Sequence, residues 1–320
     1  MSFNENFKKE ILSTDFASNS EIFAFLAGVF RQIGSIHICK QNVNLVIECD
    51  FYDLILKVAE RIKVLYNVEI EIKISQDKSL NKTIYTLNLP ANITKDIAQS
   101  TKIIKYNGDI AVSFTNSINE YKTEEEIKSY MLGVAVSSAN ISVPVKQNEN
   151  SDIYDGSYSL EIRFNSENIA DEVMEYFAGY DILFKKFERM ENFMLQIRES
   201  EMISDFMAYC GCSDAVLEIN NIMVARSVRN KTNRERNCVI ANIDKAVVAG
   251  QKQYQAIKLI DSKIGLENLS EKLRVIAKIR LDNPDFSLDQ IAEEVGGGIS
   301  KSGINHRFRK IMEIANAIQK

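Results

Sequence analysis

A glycine inside an apolar helix, met twice at a fixed interval, constrains this chain more than any other feature. Residues 21–35, EIFAFLAGVFRQIGS, are echoed about 105 residues later by EEIKSYMLGVAVSSANIS. In each copy apolar residues occupy nearly every face, and a glycine (Gly28, Gly133) sits mid-helix, where it costs about 1 kcal/mol against alanine. Close approach of two backbones offsets that cost, because a residue without Cβ lets helices pack main chain to main chain. The two helices are therefore expected to meet at Gly28 and Gly133 on a pseudo-twofold axis, with the chain folded as two equivalent halves.

The order of elements repeats on the same period. A short first helix (Phe7, Ile11, Leu12) precedes the first glycine helix. Residues 35–39 and 43–49 form a hairpin about Lys40-Gln41-Asn42, and Asp50 is expected to cap a helix through Phe51, Leu54, Ile55, Val58, Ile62 and Leu65. Residues 68–74 and 83–89 predict a second hairpin with one wet face, and 94–105 a closing helix, giving an αββαββα half. In the second half, strands at 141–145 and 158–164 flank the polar loop QNENSDIYDGS. A helix with Ile169, Val173, Tyr176 and Phe177 on one face follows, then strands at 182–187 and 193–197 and a helix over 199–210. Two unrelated α+β domains are the alternative reading of this repeat.

The two glycine helices resemble the LAGLIDADG helices of homing endonucleases: Leu26-Ala27-Gly28-Val29-Phe30-Arg31-Gln32-Ile33-Gly34, and a decayed copy from Met131 to Ala139. In that family an acid one place before the end of each motif binds the metal ions that cleave DNA. Hard anionic oxygens are needed there to hold divalent ions and offset charge on the attacking and leaving oxygens. This chain has Ile33 and Ser138 at those positions. The resemblance therefore implies the fold without the metal chemistry, since function resides in sites rather than folds; no catalytic residue, metal or cofactor is assigned.

At 320 residues and 45% apolar composition the chain is long enough for two or three domains with real cores. No apolar run approaches a membrane span, and MSFNENFKKEIL lacks a signal peptide's apolar core, so a cytoplasmic protein is expected. Five scattered cysteines (Cys39, Cys49, Cys210, Cys212, Cys238) fit reduced thiols, with Cys210 and Cys212 as a buried structural pair rather than metal ligands. The net charge of −5 hides a split: 21 Lys/Arg against 33 Asp/Glu over residues 1–218, but 18 against 11 over 219–320. Such asymmetry points to a polyanion partner for the C-terminal third.

That third opens with a proline-free basic stretch, expected as helical linker segments broken near residues 230–237. Its densest part carries Arg226, Arg229, Lys231, Arg234 and Arg236. A solvated face and a DNA-backbone contact both account for these charges. Residues 269–281 then form an amphipathic helix ended by Asn283-Pro284. Ser287 with Gln290 reads as a capping box and Phe286 with Ile291 as a hydrophobic staple, opening a short helix that stops at Gly296-Gly297-Gly298. Ser300 caps the last helix, with Ile299 stapling onto Ile304. Two helices about a tight glycine turn are a helix-turn-helix. On the last helix Ile304, Phe308, Ile311 and Ala315 share the core stripe, while Ser302, Asn305, His306 and Arg309 share another face. Asn pairs with adenine, Arg bidentately with guanine, and Ser or His reaches base or phosphate. Ser300, Lys301, Arg307 and Lys310 complete the candidate DNA-binding set, the lysines and Arg307 toward backbone phosphates or solvent. No nucleophile or carboxylate is patterned with His306, so DNA contact or simple exposure is the expectation there.

This order of parts resembles the WhiA family of bacterial transcription regulators over nearly the whole chain. The most specific stretch is LSEKLRVIAKIRLDNPDFSLDQIAEEV followed by ISKSGINHRFRKI, which looks like that family's C-terminal domain, itself similar to the promoter-binding region of sigma factors. The expected fold is α+β: two pseudo-symmetric LAGLIDADG-like halves (1–110 and 111–218), a basic helical linker (219–262) and an all-α helix-turn-helix domain (263–320). The resemblance implies a sequence-specific, nucleoid-associated regulator of double-stranded DNA, linked to sporulation in mycelial bacteria and to cell division or chromosome behaviour elsewhere. Another transcription regulator or RNA polymerase is the protein partner it suggests. A protein-interaction scaffold with weak DNA binding and an active metal-dependent endonuclease are the alternatives.

Overall fold

The computed structural model describes residues 2–39, 42–77, 81–107, 109–112, 118–148, 153–189 and 192–319. The expected turn residues Lys40 and Gln41, and part of the QNENSDIYDGS loop, lie outside them. The described chain divides into two compact units, Met1–Ser227 and Val228–Lys320.

In the first unit α1 (Phe3–Leu12) precedes α2 (Asn19–Ile33), and the hairpin β1 (Gly34–Cys39) and β2 (Asn42–Cys49) leads to α3 (Tyr52–Tyr66). Then come β3 (Ile72–Asp77), β4 (Lys82–Asn88), α4 (Ala91–Ser100) and a small hairpin, β5 (Ile104–Asn107) and β6 (Asp109–Val112). The second half repeats the order with α5 (Glu124–Ser138), β7 (Ala139–Ser142), an inserted ribbon β8 (Val145–Lys146) and β9 (Tyr154–Asp155), then β10 (Ser159–Phe164). It ends with α6 (Glu167–Ala178), β11 (Lys185–Arg189), β12 (Asn192–Ile197) and α7 (Ser200–Tyr209). Both sheets are antiparallel, and their strand orders, β1-β2-β4-β3 and β7-β10-β12-β11, are equivalent. One apolar core joins the halves through α2 and α5.

At the crossing of α2 and α5 a Cβ on Gly28 would collide with the Tyr130 carbonyl oxygen and stand 2.8 Å from Val134 N. One on Gly133 would collide with the Phe25 carbonyl and stand 3.0 Å from Val29 N. The backbones themselves are in contact there. The N-terminal helix ties the halves further: Asn4 Oδ1 accepts from Ile141 N at 2.8 Å, on the strand β7 of the second sheet. The Glu10 carboxylate accepts from Asp214 N at 3.0 Å and Ala215 N at 2.8 Å, capping the next helix, whose first turn otherwise leaves its N–H groups unpaired.

Several sequence expectations need correction. Asp50 does not cap α3, because its carboxylate takes Lys82 Nζ at 2.6 Å and Phe51 stands at the cap without a side-chain bond. The strand expected from residue 68 begins at Ile72. The closing helix ends at Ser100, where the Thr101 hydroxyl bonds back to the Ile97 carbonyl and Lys102 turns to φ 60°. Pro144, lacking an N–H, separates β7 from β8. The strand expected at 182–187 is shifted to Lys185–Arg189, although Ile182 and Phe184 are buried. Finally, the basic stretch is not broken at 230–237: α8 runs unbroken from Ser213 to Ile264.

Cys210 and Cys212 are buried free thiols. Burial pushes both up, Cys212 to about 12.

Candidate nucleic-acid interface

The second unit builds its core from Ile257 and Ile260 of α8, Ile276 of α9 (Glu271–Asp282), Ile291 of α10 (Leu288–Val295), and Ile304, Phe308, Ile311 and Ala315 of α11 (Lys301–Gln319). Helix α10 starts with a complete capping box: Ser287 Oγ accepts from Gln290 N at 3.2 Å, and Gln290 Oε1 accepts from Ser287 N at 2.8 Å. Between α10 and α11 Gly296, Gly297 and Gly298 stand at φ 67°, 71° and 69°. No atom lies within 4 Å of where their side chains would begin, so conformation rather than crowding requires glycine here. Ser300 Oγ accepts from Gly303 N at 3.3 Å and opens α11.

With Ile304, Phe308, Ile311 and Ala315 committed to the core, the opposite side of α11 is fixed in register. Ser302, Asn305, His306 and Arg309 are exposed there together, with Lys310 exposed and Arg307 half-buried beside them. Lys301 is exposed but engaged, its Nζ 2.7 Å from the Asp289 carboxylate of α10. Ser302 Oγ lies 3.0 Å from Ser300 Oγ.

The basic residues of α8 are distributed differently. Arg226, in the first unit, is half-buried with its guanidinium 5.2 Å from the centre of the Tyr158 ring. In the second unit Arg229 is half-buried, and Lys231, Arg234 and Arg236 are exposed, Arg234 Nε donating to the Asn230 carbonyl at 3.3 Å. Over residues 228–320 the sequence carries 17 Lys/Arg and 11 Asp/Glu.

Arg280 carries a role that sequence reading missed. It is 2% exposed, and its guanidinium donates to the carbonyls of Pro284 (3.0 Å) and Phe286 (2.6 Å) and to Gln253 Oε1 (3.0 Å). It also faces the Phe308 ring at 5.2 Å. One side chain thus joins α8, the α9–α10 turn and α11. On a helical wheel it is one more basic residue, and nothing nearby in sequence signals its burial.

The ends of the glycine helices are built from other chemistry. Ile33, the last residue of α2, offers only hydrocarbon. The Ser138 hydroxyl at the end of α5 donates to the Val134 carbonyl at 3.0 Å, and Ser137 to Gly133 at 2.7 Å. Among the described residues no three His, Cys, Asp or Glu side chains are grouped to hold a metal ion, and no helix is long and apolar enough to cross a membrane.

Comparison with known proteins matches residues 19–118 to the WhiA N-terminal LAGLIDADG-like domain, 127–229 to the WhiA LAGLIDADG-like domain, and 232–315 to the WhiA C-terminal HTH domain. A probable cell division protein WhiA of Staphylococcus epidermidis is 31% identical over 322 residues, covering 100% of this chain and 98% of its own. The chain belongs to the WhiA family. A second WhiA relative, the probable cell division protein of Staphylococcus carnosus, is 32% identical over 323 residues with the same coverage. The crystal structure of full-length DUF199/WhiA from Thermatoga maritima matches with a TM-score of 0.55 at 22% identity, covering 99% of each chain. The WhiA fold thus holds end to end, with two LAGLIDADG-like halves followed by a long helix and a helix-turn-helix.

Proposed function

We propose that this chain is a sequence-specific regulator that binds double-stranded DNA through α11 and does not cleave it. The observation that carries this reading is the exposed set Ser302, Asn305, His306 and Arg309 on one face of a helix whose other face is core. Arg309 reads a guanine and Asn305 an adenine in the major groove. Ser300, Lys301, Arg307 and Lys310 hold flanking phosphates, Lys301 by exchanging its Asp289 partner for one. Lys231, Arg234 and Arg236 add backbone contacts, with Arg226 and Arg229 behind them. The names of the staphylococcal relatives support a role in cell division, and sporulation and chromosome segregation are the related processes in which such a regulator acts on the nucleoid. Hydrocarbon at Ile33 and an inward-bonded hydroxyl at Ser138 support a non-catalytic relic of a homing endonuclease.

Binding is tested by fluorescence anisotropy with a selected DNA site across a salt series. Affinity falls steeply with rising salt, and Arg309→Ala costs about 1 to 3 kcal/mol on that site while leaving non-specific binding little changed. Equal affinity of wild type and Arg309→Ala on the selected site removes Arg309 from the reading set. Supercoiled plasmid incubated with pure protein and Mg²⁺ stays intact; metal-dependent nicking would restore the nuclease reading.

A further inference from the structure

The outermost strands of the first unit's two sheets occupy equivalent places but are protected differently. β3 closes one sheet and β11 the other, and among the described residues neither has a strand neighbour besides β4 or β12. Such an edge presents a row of unsatisfied N–H and C=O groups, which proteins commonly guard with charge. The second half is guarded in this way. On the helix-facing side of β11, Lys186 stands opposite Leu195 and Glu188 opposite Phe193, and Lys186 Nζ is held 2.8 Å from Glu167 and 2.6 Å from Asp171 of α6. The matching places in β3 hold Ile72, opposite Leu87, and Ile74, opposite Tyr85. Ile74 is 66% exposed, and Tyr52 of α3, its ring 5.1 Å from that of Tyr85, is 41% exposed. This edge therefore carries hydrocarbon where its counterpart carries charge.

The other side of β3 bears Lys73, Ser75 and Asp77 in alternation, an order that is complementary to itself. In an antiparallel pair of two β3 strands with Ser75 opposite its copy, each Lys73 faces the other strand's Asp77. Ile74 then faces Gln76, with the second Ile74 as its diagonal neighbour. A slip of two residues that sets Ile74 on Ile74 brings Asp77 against Glu71, like charge on like, so charge selects the first register. β11 has no such complementarity: centred on Phe187, two copies would set Lys185 against Arg189.

We propose that β3 pairs with β3 of a second copy of this chain, joining two four-stranded sheets into one across a twofold axis. Backbone hydrogen bonds make the pair, Lys73 and Asp77 fix its register, and the Ile74 side chains leave water. The six residues of β3 fall well short of the roughly 20 to 30 per side that stable interfaces use, so the dimer is reversible and depends on protein concentration.

The test uses the full chain. Sedimentation over a concentration series should show a monomer-dimer equilibrium. Lys73→Glu should weaken it by about tenfold or more, and Lys73→Glu combined with Asp77→Lys should recover it, with unchanged circular dichroism. Register is read by cysteine crosslinking in a Cys238→Ser background, which removes an exposed native thiol. Under copper phenanthroline Ser75→Cys should give a disulfide-linked dimer, since directly opposed residues lie within disulfide reach. Lys73→Cys should not, because its copy is displaced by four residues, about 14 Å, along the pair. Equal crosslinking at both positions, a dimer indifferent to Lys73→Glu, or a chain that stays monomeric throughout overturns the proposal. Capture of a cysteine-bearing peptide of alternating isoleucine and threonine by a monomeric Ser75→Cys chain would assign the edge to a foreign strand instead.

Discussion

Three glycines placed in the middle of helices answer to different surroundings, and the difference is measurable. Gly28→Ala or Gly133→Ala drives a methyl group into a facing carbonyl. Neither backbone can yield without parting α2 from α5, and each change is expected to cost about 1 to 3 kcal/mol or more of first-unit stability, read from urea unfolding. Gly250→Ala meets open contact distances and is expected to be neutral or to stabilise the second unit by up to about 1 kcal/mol. Gly28 and Gly133 could be singled out from sequence because each lies in a repeated motif. Gly250 could not, because its meaning depends on Arg280 and Pro284 from another helix and turn. Arg280 was equally invisible: pattern reading assigns a charged residue to solvent, whereas here backbone carbonyls and an aromatic ring take it in.

At the scale of elements, the parts best legible were those decided locally. The Ser287–Gln290 capping box and the glycine turn after α10 need only a few adjacent residues. Gly297→Val, which forces a β-branched residue to φ near 71°, is expected to cost the second unit about 1 to 2 kcal/mol, measured by thermal melting. Boundaries set by distant partners were misread. Asp50 is taken from its cap by Lys82, and the apolar Ile103 and Ile104 extend the helical pattern of α4 past the point where Lys102 turns the chain. The unbroken α8 was misread for another reason. Asn230, Asn233 and Asn237 lower helix propensity but lack the stopping power of proline or a glycine C-cap. Ser227 and Thr232 satisfy their hydroxyls on the helix's own carbonyls, at 2.9 and 3.1 Å. From Lys231 to Ala249 every side chain except that of Asn233 is exposed, so this middle stretch is held by little beyond its own hydrogen bonds. Amide exchange is expected to be much faster there than in the buried turns around Ile219 and Ile257; equal protection along the helix would contradict this.

For the whole molecule, the two units should respond differently to alkali. Burial holds the protons of Cys210, Cys212, Tyr121, Tyr130 and Tyr209 above their ordinary values, Tyr130 at about 12, and all five lie in residues 1–227. A raised folded pKa gives stability that is complete below the unfolded value and is lost as pH climbs, because the unfolded chain ionises first. Unfolded thiols start near pH 9 and phenols near 10. The first unit's melting temperature is therefore expected to fall between about pH 9 and 11, with no matching loss from these groups in the second. The division of charge follows the same line: an acidic N-terminal part and a basic C-terminal part were readable from composition, whereas a groove beside Gly250 arises only when α8, α9 and α11 pack.

The bare middle of α8 also makes the chain easy to dissect. Arg234 and Arg236 lie in the stretch whose described side chains are almost all exposed, so little resists brief opening there and dilute trypsin should cut there first. The cut leaves all of the second unit's buried core residues, Ala256 to Ala315, on one fragment and the glycine-paired body on the other, and operator affinity can then be assayed on each piece without designing a truncation.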